Sequence, residues 1–162
     1  MVNARLTDCA DWAKVIVRAS PDGPVARRLT VRHGRATWSA SARVLTVGWK
    51  PDSWLLLSAD EPSAAIVRHT EALVDGEFAS VVDVTHGHWL GRLTGDGSTR
   101  SLAAVCAIDL ADSATTNGRA FRTRIAAVTA TVIRDDDAGA RSYLVLCDRS
   151  YGHYLVSVLA CD

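Results

Sequence analysis

Short aliphatic and β-branched runs, separated by turn residues, set the rhythm of the chain. Lys14-Val15-Ile16-Val17-Arg18 predicts a strand, and Ser20-Pro21-Asp22-Gly23-Pro24 predicts the turn that stops it. Leu29 to Arg32 predicts another short strand, while Gly34 to Ser41 reads as irregular chain rich in small residues. Arg43-Val44-Leu45-Thr46-Val47 and Trp54-Leu55-Leu56-Leu57-Ser58 flank Gly48 to Ser53, whose glycine and proline suit a hairpin loop longer than the tightest class. A helix over 62 to 75 follows, because Pro62 sits where a missing N–H costs nothing and Ile66, Thr70, Leu73 and Val74 recur at helical spacing. Phe78 to Val84 and Trp89 to Leu93 read as strands. A helix begins near Ser98, capped by Asp96 or Ser98, with Leu102, Val105 and Cys106 as its apolar stripe.

The polar stretch Ala111 to Arg119, with the turn pair Asn117-Gly118, leads into Thr123 to Ile133, read as one long β-branched strand. The turn Asp135 to Gly139 returns it as Tyr143-Leu144-Val145-Leu146, a second hairpin. Ser150 caps a last helix in which Tyr151, Tyr154, Leu155, Val158 and Leu159 form one apolar face. Trp54-Leu55-Leu56-Leu57 and Tyr143-Leu144-Val145-Leu146 share a plan, each a strand before a helix, so two similar halves are expected within a single domain spanning residues 1–162. The fold class is α+β with largely antiparallel sheets, since hairpins outnumber helical crossovers.

The length of 162 residues supports one core, and 48% hydrophobic against 22% charged residues excludes disordered and fibrous classes. Eighteen basic and eighteen acidic groups cancel, so no overall field attracts nucleic acid or anionic lipid. Only Lys14 and Lys50 are lysines; the other bases are arginines, which favours paired, planar contacts. No run reaches the ~18 apolar residues of a membrane span, and the start, Met1 to Arg5, lacks the apolar centre of a signal peptide. A cytoplasmic location is expected. Cys9, Cys106, Cys147 and Cys161 are scattered without metal or redox spacing, which reads as four idle thiols.

His86 and His88 would share one side of a strand but lack a third ligand, and His33, His69 and His153 are isolated. Asp135-Asp136-Asp137 lacks calcium-loop spacing and reads as a solvated turn. Gly95-Asp96-Gly97-Ser98 matches no phosphate-loop pattern, and no nucleophile motif is present. Five tryptophans stand out: Trp54 and Trp89 are expected in the core, and Trp49, in the hairpin loop, as a surface anchor for a partner.

Six segments in order carry a resemblance: Trp54-Leu55-Leu56-Leu57, Val81 to Gly87, Arg92-Leu93-Thr94-Gly95, Cys106 to Leu110, Arg122 to Ala126, and Asp148-Arg149-Ser150-Tyr151. Together they resemble the gamma-subunit family of heterotetrameric sarcosine oxidase over roughly residues 43 to 160, the first 42 or so being divergent. That family is similar to the folate-binding half of the glycine-cleavage aminomethyltransferase, which implies a pair of swapped α+β subdomains. The resemblance also implies partners: a large alpha-like subunit with dinucleotide and folate domains, a flavoprotein beta-like subunit, and a small zinc-binding subunit, with FAD, FMN, NAD, tetrahydrofolate and zinc expected among them. It implies no cofactor in this chain. The transferase's Asn-Asp pair matches Ile108-Asp109, so Asp109 alone is kept as a candidate for orienting a pterin or an amine. The Lys-Gly-Cys-Tyr-type signature of the iron–sulphur-linked relatives is missing from Ala111 to Arg124, and no G domain follows. Asp83, His86, Arg122 and Arg149 are interface or framework candidates: an acid among valines and an arginine at a helix start each need a partner. The expected function is a non-catalytic accessory subunit of a sarcosine oxidase-like enzyme. The alternatives are a free-standing tetrahydrofolate-binding or one-carbon transfer protein, and a self-contained homodimeric scaffold.

Overall fold

The computed structural model describes residues 3–41 and 43–160; Met1, Val2, Ala42, Cys161 and Asp162 fall outside them. The elements, in chain order, are β1 (Arg5–Asp8), β2 (Ala13–Arg18), α1 (Pro24–Leu29), β3 (Ala36–Trp38), β4 (Leu45–Lys50), β5 (Ser53–Ser58), α2 (Ser63–Leu73), β6 (Ser80–Asp83), β7 (His88–Thr94), α3 (Ser98–Ala103), β8 (Ala120–Ile125), β9 (Val128–Arg134), β10 (Ser142–Asp148) and α4 (Gly152–Leu159). They form two compact units, each with one antiparallel five-stranded sheet. The inserted unit, residues 11–85, orders its strands β3-β4-β5-β2-β6. The split unit, built from Met1–Ala10 and His86–Asp162, orders them β1-β7-β10-β9-β8. The fold class is therefore α+β, as expected.

The two units are copies of one plan. Each runs strand, helix, hairpin, strand, helix: β2-α1-β3-β4-β5-α2 in one and β7-α3-β8-β9-β10-α4 in the other. The fifth strand of each sheet is exchanged. β1 precedes β2 in the chain but pairs with β7, and β6 precedes β7 but pairs with β2. Both exchanged strands end on an aspartate that folds back on the chain. Asp8 accepts from the Ala10 N–H at 2.8 Å and Asp83 from the Thr85 N–H at 2.9 Å.

The registers align the copies residue by residue. Asp83 lies opposite Val15 and Asp8 opposite Gly91; Val15 in turn faces Leu56, and Gly91 faces Val145. Trp54-Leu55-Leu56-Leu57 thus superposes on Tyr143-Leu144-Val145-Leu146, the pair of segments whose likeness is legible in the sequence. Both aromatic tips are bonded, Trp54 Nε1 to the Val31 carbonyl at 2.8 Å and Tyr143 Oη with Thr99 Oγ1 at 3.1 Å.

The cores lie against the sheets: Val15, Val17, Val25, Trp54, Leu56 and Ile66 in the inserted unit, and Leu93, Leu102, Val132, Val145, Leu155 and Leu159 in the split unit. Trp54 and Trp89 are buried as expected. Leu55, Leu57, Leu144 and Leu146, on the other face of the central strands, are buried too, which explains runs without polar alternation.

Several sequence expectations give way to local chemistry. No strand forms at 29 to 32: Pro24 starts α1, its fixed φ suiting a first helical position, and Thr30 ends the helix with φ 57. β3 lies inside the stretch read as irregular, where small residues give little strand signal, and β1 was not expected, because its partner strand lies far along the chain. The strand 123 to 133 is two strands, turned at Ala126 with φ 49, a conformation that alanine does not advertise. Phe78 lies outside β6 and is fully exposed. α3 has no side-chain cap, Val105 lies beyond its end, and Ser98 Oγ is buried without a hydrogen-bond partner. Ser150 lies in a 3-10 turn, Arg149–Tyr151, and caps nothing through its side chain. Tyr151 and Tyr154 point to solvent, so the buried face of α4 narrows to Leu155, Leu159 and part of Val158.

Candidate functional site

The largest difference between the copies is the link from the first helix to the hairpin. Residues 30–35 make it in the inserted unit and residues 104–119 in the split unit. Both links end alike. Gly34, φ 79, donates its N–H to the Gly48 carbonyl at 2.8 Å, and Gly118, φ 77, donates to the Arg134 carbonyl at 2.8 Å. Gly48 and Arg134 return a bond at 2.8 Å to Arg35 and Arg119 respectively. The repeated Gly34-Arg35-Ala36 and Gly118-Arg119-Ala120 are the sequence signal for this equivalence, a three-residue match that stands out only once the two links are aligned.

In the split unit the long link closes the sheet. Its Cys106 and Leu110 join a core with Ile125, Val128, Ala130 and Val132. Its backbone runs along the end of β8, where the Ala126 N–H donates to the Val105 carbonyl at 2.8 Å. Its Asp112 receives Arg134 Nη1 at 2.5 Å and is also bonded by Arg141. Arg134 donates further to Asp136, at 2.9 Å from both Nε and Nη2, and to the Thr115 carbonyl at 2.6 Å. Asp136 first, and then Asp112, raise the already high pKa of Arg134, so it is a permanent cation. Hydrogen bonds from Arg134 and then Arg141 hold the Asp112 carboxyl below its usual range. Arg92 clamps the same turn through Asp135 Oδ2 at 2.6 Å and Ser142 Oγ at 2.8 Å. The aspartate turn is therefore a structural ion network, a correction to the solvated turn expected from sequence.

Asp109 sits on this link. Its Oδ1 accepts the Ala111 N–H at 2.9 Å and its carbonyl accepts Thr115 Oγ1 at 2.6 Å, so the side chain shapes the local turn.

In the inserted unit the short link leaves the equivalent place open as a groove of about 570 Å³. α2 packs over β2 and β6, leaving the β3–β4 side of the sheet uncovered. Thr46 and Leu56 form the floor, Ile66 and His69 of α2 one wall, and Arg43 and Trp38 part of the rim. By register Thr46 stands where Val132 is and Thr37 where Phe121 is, so the floor is more polar than its counterpart. Arg43 pairs with Glu61 at 2.6 Å, which raises the arginine's pKa further.

The other sequence-selected residues are scattered. Trp49 lies within β4, half-buried, with Lys50 Nζ 4.6 Å from its ring centre, because the turn is only Pro51-Asp52; it is not the loop-tip anchor expected. Asp83, as above, bonds Thr85, and His86 is exposed in the following turn. Arg122 is exposed on β8, and Arg149 is exposed, its backbone N–H donating to Gly87 O at 3.0 Å. His88 Nε2 lies 3.7 Å from Asp148 Oδ1. Among the described residues no cluster of three or more His, Cys, Asp or Glu side chains is placed to hold a metal ion. Nor is any helix among them long and apolar enough to cross a membrane.

The fold is thus a pair of tandem α+β units with exchanged edge strands. No protein-family model matches the sequence, and no curated protein matches it. Among solved structures, a chain of the heterotetrameric sarcosine oxidase from Corynebacterium sp. U-96, in complex with pyrrole 2-carboxylate, is similar. Its TM-score is 0.81 at 19% identity, covering 98% of this chain and 86% of that one. The glycine cleavage system aminomethyltransferase T from Bartonella henselae is similar with TM-score 0.76 at 13% identity, covering 99% of this chain and 46% of that one. The chain thus spans about half the length of the transferase.

Proposed function

We propose that the chain is a non-catalytic accessory subunit, gamma-like, of a heteromeric flavin-dependent oxidoreductase acting on a sarcosine-like amine. The observation that carries this reading is the two-way coverage of the sarcosine oxidase chain, which must itself be only modestly longer than this one. The subunit would dock on a large alpha-like, folate-domain partner and on a beta-like flavoprotein, in the cytoplasm. FAD, FMN, NAD, tetrahydrofolate and zinc belong to partner subunits, zinc to a small third one, in this reading. One feature supports a docking role and another the non-catalytic one. Phe78 and Val82 of the inserted unit and Tyr151, Tyr154 and Val156 of the split unit are large, exposed apolar side chains. Asp109, the position matching the transferase acid, spends its carboxylate on the Ala111 N–H.

The test is co-expression with the large and flavin-bearing subunits of a sarcosine oxidase from the same cell. The reading expects a stable complex that oxidises sarcosine, and an isolated chain that neither turns over sarcosine nor binds tetrahydrofolate. Micromolar tetrahydrofolate binding by the isolated chain, lost in Asp109→Ala, would replace it with a free-standing folate protein. A dimer indifferent to the large subunit would replace it with a homodimeric scaffold.

A further inference from the structure

We infer that the groove over β3 and β4 is a docking site for an extended polypeptide segment of a partner, one carrying aliphatic side chains and an acidic residue. The second copy of the same plan supplies the argument. Where the split unit has Ala130 and Val132 fully covered, the inserted unit has Val44 and Thr46 half-exposed. The cover in the split unit is polypeptide: Cys106 and Leu110 fill the sheet face, and Val105 bonds the backbone at the end of β8. The inserted unit keeps the same order of elements and the same bonds at Gly34 as at Gly118, and lacks this filler.

Three features of the groove select the same kind of occupant. β3 is an edge strand, pairing with β4 on one side, so its outer side offers the backbone geometry that an added strand matches. Val44 and Leu56 on the floor and Ile66 on the wall are apolar, and Thr46 stands beside them where valine stands in the other copy. The lining carries two guanidiniums, Arg28 and Arg43, against one carboxylate, Glu61. Arg28 bonds Glu77 at 3.2 Å and Arg43 bonds Glu61, both at exposed positions where such pairs are weak and exchange readily. An incoming acid on Arg43 would repeat what Asp112 does on Arg134.

The inference goes beyond the accessory-subunit reading and does not need it. The experiment places the photoreactive residue p-benzoylphenylalanine at Thr46 of the full chain, or at exposed Glu71 of α2 as control, in the native cell. Crosslinked peptides are mapped by tandem mass spectrometry, and the mapped segment is synthesised and titrated against the purified chain. The expected result is one segment, aliphatic and with at least one acid, crosslinked at 46 and not at 71. Its peptide should bind at least about tenfold more weakly to Thr46→Trp, which fills the groove, and to Arg43→Glu, which reverses the rim. Near-ultraviolet circular dichroism establishes that both variants are folded. Crosslinking no greater at 46 than at 71, or peptide binding indifferent to both variants, overturns the inference. So does a small molecule retained by the wild-type chain in native mass spectra and lost from Thr46→Trp. A segment from a polypeptide that is neither flavoprotein nor folate-domain subunit would sustain the groove assignment and overturn the accessory-subunit reading.

Discussion

Residues 30–35 and 104–119 do the same topological task at different lengths, and the difference decides which unit is complete in itself. The longer link adds apolar side chains to its own core and pins itself to the hairpin through Asp112 and Arg134. The shorter link lays its backbone directly on the strand. At the position equivalent to Arg134 stands Gly48, where a Cβ would lie 2.0 Å from the Arg32 carbonyl oxygen. One copy is held there by an ion network and the other by close backbone approach. A duplicated plan can therefore diverge in how it is stabilised while keeping its hydrogen-bond register.

The largest effect is expected from Arg134→Ala. Its side chain is only 8% exposed, and its removal leaves Asp136 and the Thr115 carbonyl without their donor. Urea unfolding should record a loss of about 4 kcal/mol. The same variant should flatten the acid limb of stability. Asp112, with its carboxyl held below the ordinary 3.8, contributes fully above that pH and loses its contribution as pH falls further. Gly48→Ala attacks the equivalent point in the other copy and should cost about 3 kcal/mol, because the clash is with backbone that has no rotamer to yield. Equal, negligible effects at both positions would break the comparison.

Gly34→Ala and Gly118→Ala should each cost about 1.5 kcal/mol, since both glycines hold positive φ at the same step of the plan. A large asymmetry between them would show that the two links are not equivalent. Cys147 offers a probe of the split unit alone. Burial, aided by Asp148, pushes its thiol up to about 11. It should resist iodoacetamide at pH 8 in the folded chain. Because the folded value lies above the unfolded 9.0, its contribution holds below pH 9 and is lost as pH rises toward 11. The smallest effect is Asp109→Ala, about 0.5 kcal/mol from one exposed turn bond.

Much of this was legible where chemistry is local. The alternation of short strands with helices predicted the class, and the Trp54 and Tyr143 segments disclosed the repeat because each strand must bury both faces. The β4–β5 hairpin and α2 followed from Pro51 and Pro62, which act through the backbone. The exchange of β1 and β6 was not legible from periodicity, since which sheet a strand joins is set by partners far along the chain. The Ala126 turn escaped because alanine carries no turn signal. The candidate groove was invisible for another reason: it arises from residues that the short link does not have, and only the other copy reveals what is missing.

The most direct measurement takes the isolated chain, free of partners, and assays it with sarcosine and with tetrahydrofolate, alongside the mass of the complex formed on adding the large and flavin-bearing subunits. An accessory subunit gives no turnover, no folate binding and a stable heteromer. Turnover by the lone chain, or indifference to both subunits, contradicts the account.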